Sequence, residues 1–224
     1  MSSINLTTNL FKLFCIMWGM QTGEFILLAY TGKIKETGQV FDTAEAAPVI
    51  VGGGYLIPSV DEALSGLLLK QKKTIELTPE QAFGQRDPKL MRIVPEAEFR
   101  RHDTKPVPGM PIEADNMRGR IVSVTSGRVT IDFNHPLAGK ALVFDLEVKS
   151  KIEKLDEKVR AIAEFYTRMP PDKLVVRVAG TEAELELPPT VHAVFKKRIA
   201  DDVMKWLDLT KVKFVEVFER PKQK

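Results

Sequence analysis

The stretch Gly52–Leu69, which reads GGGYLIPSVDEALSGLLL, constrains the fold more than any other part of the chain. Its three leading glycines permit backbone conformations or close approaches that bulkier residues prevent. Pro58 suits the first turn of a helix, and the apolar residues that follow recur at helical spacing. The stretch therefore predicts a short helix that presents three apolar residues as the floor of a pocket: Leu56, Ile57 and Val60. Taken alone, these three residues fit ordinary core positions equally well.

Charge and cysteine content exclude several classes of protein. The 33 basic and 30 acidic residues are interspersed and leave a net charge of only +3, so no stripe for nucleic acid is predicted. The single cysteine, Cys15, cannot form a disulfide within the chain, which fits a reducing compartment such as the cytoplasm. The three histidines lie too far apart for zinc-ligand spacing, so neither a metal nor a cofactor is predicted.

The first nineteen residues are expected to be a disordered or mis-assigned leader. Leu10–Trp18 is apolar, but Lys12 interrupts it and it is far shorter than the ~20 residues of a membrane span. A signal peptide would begin with a basic region, but Met1–Asn9 contains no lysine or arginine. We therefore predict neither a membrane segment nor a secretion signal here.

The first part of the chain is dominated by strand patterns. Glu24–Ile34 is rich in aromatic and aliphatic residues and predicts a strand. Val40–Asp42 is expected to be extended, Ala44–Pro48 to form a loop, and Val49–Val51 to form a short strand before the glycines. Thr74–Leu77 predicts a further strand.

A long strand is predicted at Ala141–Lys151, where apolar and charged residues alternate. Since successive side chains of a strand point to opposite faces, four residues should share one buried face: Leu142, Phe144, Leu146 and Val148.

Residues 89–132 have a different composition, with closely spaced prolines and a separate hairpin pattern. Arg120–Thr125 and Arg128–Phe133 are predicted strands joined at Ser126-Gly127, which is a hairpin signal. This segment is predicted to be a compact β unit of its own.

The tail forms another composition block. Amphipathic helices are predicted from Leu155 to Tyr166 and over Thr190–Leu207, a hairpin lies between them around Gly180, and Lys211–Phe218 alternates as a closing strand. The result is an α–β–β–α–β unit large enough to fold alone.

The sequence contains no motif for covalent catalysis or for nucleotide binding. There is no G-x-S-x-G nucleophile elbow, and Gly52–Gly54 matches neither a P-loop nor a dinucleotide fingerprint. What remains is a set of apolar and aromatic residues at the ends of predicted elements, together with one carboxylate, Asp42. On its own, Asp42 fits a solvated turn residue.

Several motifs in one order carry a resemblance to a known family. LAYTGKI with VFD, then GGGYLIPSVDEAL, then ELTPEQAFGQRDP, then NHPLAGKALVFDLEV resembles the FKBP-type peptidyl-prolyl cis–trans isomerases, and more narrowly their SlyD-like long archaeal form. The resemblance covers about Met20–Lys151. It implies an α+β fold in which an antiparallel β-sheet wraps on a short helix, with an inserted small β domain and a C-terminal mixed α/β domain.

The resemblance also implies domain boundaries. Residues 1–19 would be the leader, 20–88 and 133–152 a discontinuous isomerase domain, 89–132 an insert-in-flap chaperone domain, and 153–224 the C-terminal domain.

Carried over position by position, the family pocket comprises nine residues: Tyr30, Phe41, Asp42, Leu56, Ile57, Val60, Phe83, Leu137 and Phe144. Two of them depart from the most familiar pattern. Val60 stands where the drug-binding members place a tryptophan, and Phe83 stands where a tyrosine is common. We expect Asp42 to orient groups at the pocket rim, with a hydrogen bond to Tyr30.

The resemblance assigns the insert a different task, the capture of unfolded chains through exposed apolar surface. The candidate client-binding residues are Met91, Ile93, Val94, Phe99, Met110, Ile112 and Met117. Methionine suits a surface that tolerates varied partners. The alternative for any one of them is a place in the small core of the insert.

The resemblance thus implies a cytoplasmic prolyl isomerase that is also a folding chaperone. Its partners would be unfolded or proline-containing polypeptides, with no nucleic acid and no membrane. The alternative is a non-catalytic holdase or assembly module with a degenerate pocket, which Val60 and Phe83 keep open. Homodimerisation through the C-terminal domain is a further hypothesis, compatible with either.

Overall fold

The computed structural model describes residues 19–217, which fall into two compact units. The described part of the first unit comprises residues 19–33, 40–75 and 143–217. The second unit comprises Ile34–Gln39 and Glu76–Leu142. The predicted leader lies outside the described residues except for Gly19.

The described residues contain strands and helices in the following order. The strands are β1 (Phe25–Ile34), β2 (Val40–Ile50), β3 (Lys72–Leu77), β4 (Met91–Pro95), β5 (Pro111–Ala114), β6 (Met117–Thr125), β7 (Arg128–Asp132), β8 (Leu142–Lys151), β9 (Val175–Ala179), β10 (Glu182–Glu186) and β11 (Lys211–Val215). The α-helices are α1 (Pro58–Leu64), α2 (Glu96–Arg101), α3 (Leu155–Thr167) and α4 (Ala193–Trp206). Short 3-10 helices occupy Pro79–Gln81, Pro88–Leu90 and Pro171–Lys173. None of the helices within residues 19–217 has both the length and the apolar content to cross a membrane.

A four-stranded sheet in the order β2-β1-β8-β3 forms the base of the candidate site. The alternation predicted for β8 is confirmed, because Leu142, Phe144, Leu146 and Val148 are all buried. β1 and β2 pair antiparallel from Phe25 opposite Ile50 to Lys33 opposite Val40, with two irregularities in register.

The prediction of a loop at Ala44–Pro48 is wrong, because β2 runs unbroken from Val40 to Ile50. Pro48 lacks an N–H donor and therefore cannot complete a ladder of hydrogen bonds on both sides of a strand. In the structure Pro48 lies opposite Leu27 on a strand that is at the edge of the sheet. An edge strand tolerates proline because one of its sides forms no hydrogen bonds to a neighbouring strand.

The predicted helix after the glycines is confirmed as α1, and it is short. Ile57 is its N-cap and Pro58 its first residue, while Val60 and Leu64 are buried. The helix ends at Leu64, and Gly66 follows with φ of 83°, a left-handed conformation that glycine adopts at little cost.

The second unit contains a four-stranded sheet in the order β4-β7-β6-β5, with the three neighbouring pairs antiparallel. Its buried core consists of Ile121, Val129, Ile131 and Phe133. The predicted insert, residues 89–132, lies wholly within the Glu76–Leu142 segment of this unit. The domain boundaries remain a prediction.

The tail has the predicted α–β–β–α–β order, in α3, β9, β10, α4 and β11. Its sheet has the order β11-β10-β9, where β10 pairs antiparallel with β9 and parallel with β11. One buried cluster joins the tail to the four-stranded sheet, since it contains Ile162 and Ile199 of the tail helices together with Phe25 and Ile50.

Candidate active site

Two polar side chains of the candidate pocket meet on neighbouring strands. The Tyr30 hydroxyl of β1 donates a 3.0 Å hydrogen bond to Oδ2 of Asp42 on β2. Burial, and then the bond to Asp42, raise the pKa of Tyr30 to about 12, while the positive charge of Arg168 acts in the opposite direction. Tyr30 is therefore a neutral hydrogen-bond donor at neutral pH, and the exposed carboxylate of Asp42 is its acceptor.

Two aromatic rings pack edge to face beside this pair. The ring centroids of Phe41 and Phe144 lie 5.7 Å apart at an interplanar angle of 84°. Gly32 makes the arrangement possible, because a Cβ at that position would lie 2.7 Å from Cζ of Phe41 and 2.9 Å from Cε1 of Phe144. Sequence analysis missed Gly32; the signal was a glycine within a strand pattern, which indicates close approach of another group.

The three residues predicted to form an apolar floor lie at the start of α1. Val60 is buried at 2% exposure, while Leu56 and Ile57 are half-buried. The Ile57 carbonyl accepts hydrogen bonds from the amides of Val60 at 2.8 Å and Asp61 at 3.0 Å. Its N–H, by contrast, has no acceptor within the helix, as is general for the first N–H groups of a helix.

Asp61 holds the glycine-rich loop, and sequence analysis missed it. The carboxylate is buried, with Oδ1 accepting from the Gly52 amide at 2.8 Å and Oδ2 from the Gly54 amide at 3.0 Å. Both glycines have positive φ, 70° and 74°, which turns their N–H groups toward one carboxylate. The available signal was an acidic residue directly after buried Val60 in a helix that follows a glycine run.

Phe83 and Leu137 belong to the second unit, where His135 contacts both of them. The rings of Phe83 and His135 stack with centroids 4.1 Å apart and planes 7° from parallel. Nδ1 of His135 accepts a 3.2 Å hydrogen bond from the Leu137 amide. Through these two contacts His135 links Phe83 to Leu137.

The nine predicted pocket residues are thus divided between the two units. Phe83 and Leu137 lie in the second unit, and the other seven lie in the first: Tyr30, Phe41, Asp42, Leu56, Ile57, Val60 and Phe144. Direct contacts join Tyr30 to Asp42 and Phe41 to Phe144.

The seven candidate client-binding residues differ in exposure. Met91 is 38% and Ile93 65% exposed, both on β4. The other five are partly buried and pack against the core of the second unit: Val94, Phe99, Met110, Ile112 and Met117.

Residues 19–217 contain no cluster of three or more histidine, cysteine or acidic side chains that could hold a metal ion.

Three family models match consecutive parts of the chain. The model of the FKBP-type peptidyl-prolyl cis-trans isomerase matches residues 19–100. The model described as FKBP26, IF domain, matches residues 92–137, and the FKBP26 C-terminal model matches residues 155–219.

Curated relatives share the same family name. A protein of Methanocaldococcus jannaschii, named short-type peptidyl-prolyl cis-trans isomerase, is 38% identical over 129 residues, covering 57% of this chain and 82% of that protein. A Pseudomonas fluorescens protein, named probable FKBP-type 16 kDa peptidyl-prolyl cis-trans isomerase, is 35% identical over 130 residues. The match covers 55% of this chain and 85% of the Pseudomonas protein. SlyD of Aeromonas hydrophila is 33% identical over 129 residues, covering 55% of this chain and 60% of its own. The chain belongs to the FKBP-type peptidyl-prolyl cis–trans isomerase family, which confirms the predicted family and enzyme class.

Proposed function

We propose that this chain is a peptidyl-prolyl cis–trans isomerase and a folding chaperone. The observation that carries the catalytic part is the Phe41–Phe144 aromatic pair, which packs over Gly32 beside the Tyr30–Asp42 hydrogen bond. Apolar surface of this kind, with few polar groups placed at its rim, suits an X–Pro segment of a polypeptide.

The reaction requires rotation about a single amide bond, without proton transfer. Resonance gives that bond a rotational barrier of ~18–20 kcal/mol. The planar amide is more strongly hydrated than the twisted one, so an apolar cleft that removes water costs the transition state less than the ground state. A thousandfold acceleration needs a difference of only ~4 kcal/mol, which such a cleft can supply.

The polar groups have positioning roles in this mechanism. The amide of Ile57, the N-cap residue of α1, has no acceptor within the helix and would donate to a substrate carbonyl beside the apolar floor. Asp42 holds the Tyr30 hydroxyl by their 3.0 Å bond and so fixes the rim. Phe83 brings no hydroxyl, which should weaken the binding of macrolide ligands.

The second unit would capture unfolded clients. Met91 and Ile93 lie exposed on β4, where apolar side chains are free to contact an unfolded chain. The client range would be broad, since a methionine side chain adapts to varied partners. This activity belongs to the predicted insert, residues 89–132, and we expect the protein to work in the cytoplasm, with neither nucleic acid nor membrane as partner.

Homodimerisation would use the C-terminal domain. Three apolar side chains of α4 are exposed, namely Val194, Phe195 and Met204. Sedimentation velocity over a range of concentrations should show a dimer that Phe195→Ser weakens; a monomer at every concentration would contradict it.

A protease-coupled assay on a proline peptide tests the catalytic proposal. The wild type should accelerate isomerisation, and Phe144→Leu and Asp42→Asn should lower kcat/KM. The control is Glu45→Gln, an exposed residue of the same strand as Asp42, which should leave the rate unchanged. No acceleration by the folded wild type would favour the non-catalytic holdase.

A second assay tests client capture. The protein should suppress aggregation of a chemically denatured client, and Ile93→Ser with Met91→Ser should reduce that suppression. Val175→Ser removes from β9 an apolar side chain that is as exposed as Met91, and it serves as control. Equal suppression by the double variant and the control would place client binding elsewhere.

A further inference from the structure

The loop that leads into the pocket floor is held from two sides. Asp61 accepts the amides of Gly52 and Gly54, as described above. The other attachment is Tyr55, the residue directly before the floor residues Leu56 and Ile57. Tyr55 reaches away from α1 toward the tail helices, and its hydroxyl donates a 2.7 Å hydrogen bond to Oδ2 of Asp202 on α4.

The attachment of Tyr55 is a network rather than a single bond. The Tyr166 hydroxyl of α3 donates to the same Asp202 oxygen, also at 2.7 Å. The Tyr55 ring packs edge to face on Phe165, with centroids 4.1 Å apart and planes at 88°. A Cβ at Gly53 would lie 2.7 Å from Cδ2 of Tyr55, so the glycine leaves the space that this ring occupies.

Burial and the shared carboxylate raise the pKa values of both tyrosines, that of Tyr166 to about 12. Both hydroxyls therefore stay protonated and donate at neutral pH. Since a charged acceptor roughly doubles the strength of a hydrogen bond, one Asp202 carboxylate with two phenol donors makes a firm attachment.

Arg168 in the same tail region acts electrostatically on Tyr30. Arg168, the C-cap of α3, has its guanidinium 5.4 Å from the centre of the Phe165 ring. Its positive charge also acts on Tyr30, where it lowers the pKa against the effects of burial and Asp42.

We propose that Tyr55 is a positioning residue for the isomerase pocket, through which the C-terminal helices set the conformation of the floor segment Leu56–Ile57. Asp202 and Tyr166 would hold Tyr55, and Tyr55 would hold the Ile57 amide where a substrate carbonyl can accept from it. The C-terminal domain then contributes to catalysis without touching substrate. This inference rests on the proposed isomerase function of the same site.

The matched variants are Tyr55→Phe, which keeps the ring, and Asp202→Asn, with Asp201→Asn as control. Asp201 is the neighbouring residue on α4, exposed and paired with Lys197 at 2.7 Å. A floor segment that is held less firmly is competent for binding for a smaller fraction of the time, so KM should rise about three- to tenfold while kcat changes less than about twofold. The double variant Tyr55→Phe/Asp202→Asn should be no worse than the worse single variant, because Asp202 acts on Tyr55 through the same hydrogen bond that Tyr55→Phe removes.

Hydrogen exchange of the Val60 and Asp61 amides, which both donate to the Ile57 carbonyl of the floor segment, provides a readout that does not depend on activity. It should be faster in Tyr55→Phe and Asp202→Asn than in Asp201→Asn. If both variants match the control in KM and in exchange, or if the control shifts as far as they do, the inference is wrong. A wild type without isomerase activity would refute the proposed function, and the exchange rates alone would then decide whether Tyr55 positions the floor segment.

Discussion

Phe41 and Phe144 pack edge to face over Gly32, a residue that has no side chain to separate them. The two phenylalanines lie on β2 and β8, which occupy opposite sides of β1 in the sheet order. The backbone of β1 at Gly32 therefore forms the base on which both rings rest. The aromatic wall depends on a residue that contributes no side chain.

Gly32→Ala should disturb this wall. The new methyl group would lie within 2.9 Å of both rings, so at least one ring must move. Overpacking of this kind costs ~1–3 kcal/mol, and we expect kcat/KM to fall with it. Urea unfolding and the protease-coupled assay measure the two effects. Thr31→Ala, at the preceding residue of β1, is the control. An equal free energy of unfolding and an equal kcat/KM for the two variants would contradict the packing argument.

Asp61→Asn should loosen the glycine-rich loop. The carboxylate accepts one amide on each oxygen, whereas an asparagine presents an NH₂ group to one of those two donors. A buried N–H left without an acceptor costs ~1–3 kcal/mol. Thermal unfolding should show this loss, while Glu62→Gln, at the exposed neighbour of Asp61, should unfold like the wild type. A wild-type unfolding curve for Asp61→Asn would show that the loop does not need the carboxylate.

The three tyrosines of the chain should resist ionisation. Each donates to a carboxylate, Tyr30 to Asp42 and Tyr55 and Tyr166 to Asp202, and burial followed by these bonds raises all three pKa values above the ordinary 10.0. A raised pKa in the folded state means that the stabilisation is fully present below pH ~10 and is lost as the pH rises through the folded value, which is about 12 for Tyr30 and Tyr166. Ultraviolet titration should therefore show almost no tyrosinate at pH 10. Half-ionisation at pH 10 in the folded protein would contradict these hydrogen bonds.

The long elements were predictable because their signals are periodic. The alternation in β8 and the helical spacing in α3 and α4 each extend over ten or more residues, enough to fix the type of each element and, in β8, its buried face. The loop expected at Ala44–Pro48 was wrong, since the sequence around Pro48 does not reveal that its strand lies at the edge of a sheet. That fact depends on pairing between distant segments.

The candidate site was predictable only through resemblance, and only for the residues that the family shares. Asp61 was missed because it binds backbone amides of two glycines, which carry no side chain. Gly32 was missed because one of the rings it accommodates, that of Phe144, is distant in the sequence. A single sequence shows neither of these contacts. Tyr55 was missed for a different reason. Its partners Asp202 and Tyr166 belong to the tail, more than a hundred residues away, and nothing local to Tyr55 indicates them.

Asp132 should make the second unit sensitive to acid. Its carboxylate is buried, and Oδ1 accepts from the backbone amide of Asn134 at 2.9 Å and from its side chain at 2.7 Å, while Oδ2 accepts from Arg86. Burial alone would raise the pKa of Asp132, but the Asn134 bonds and the Arg86 charge outweigh it and hold the pKa below 3.8.

A depressed pKa in the folded state means that this stabilisation is present above pH ~4 and is lost as the pH falls through the lower folded value. Asp132→Asn should therefore lower the free energy of unfolding at pH 7 by ~1.5–3 kcal/mol, the range for hydrogen bonds to a charged group. This loss appears as a lower urea midpoint. The difference from wild type should shrink below pH 4, where the wild-type carboxylate is increasingly protonated. Asp115→Asn removes an exposed carboxylate that pairs with Arg92 at 2.6 Å, and it should cost little at any pH. A deficit for Asp132→Asn that stayed constant from pH 7 to pH 3 would show that the charge of Asp132 does not stabilise this unit.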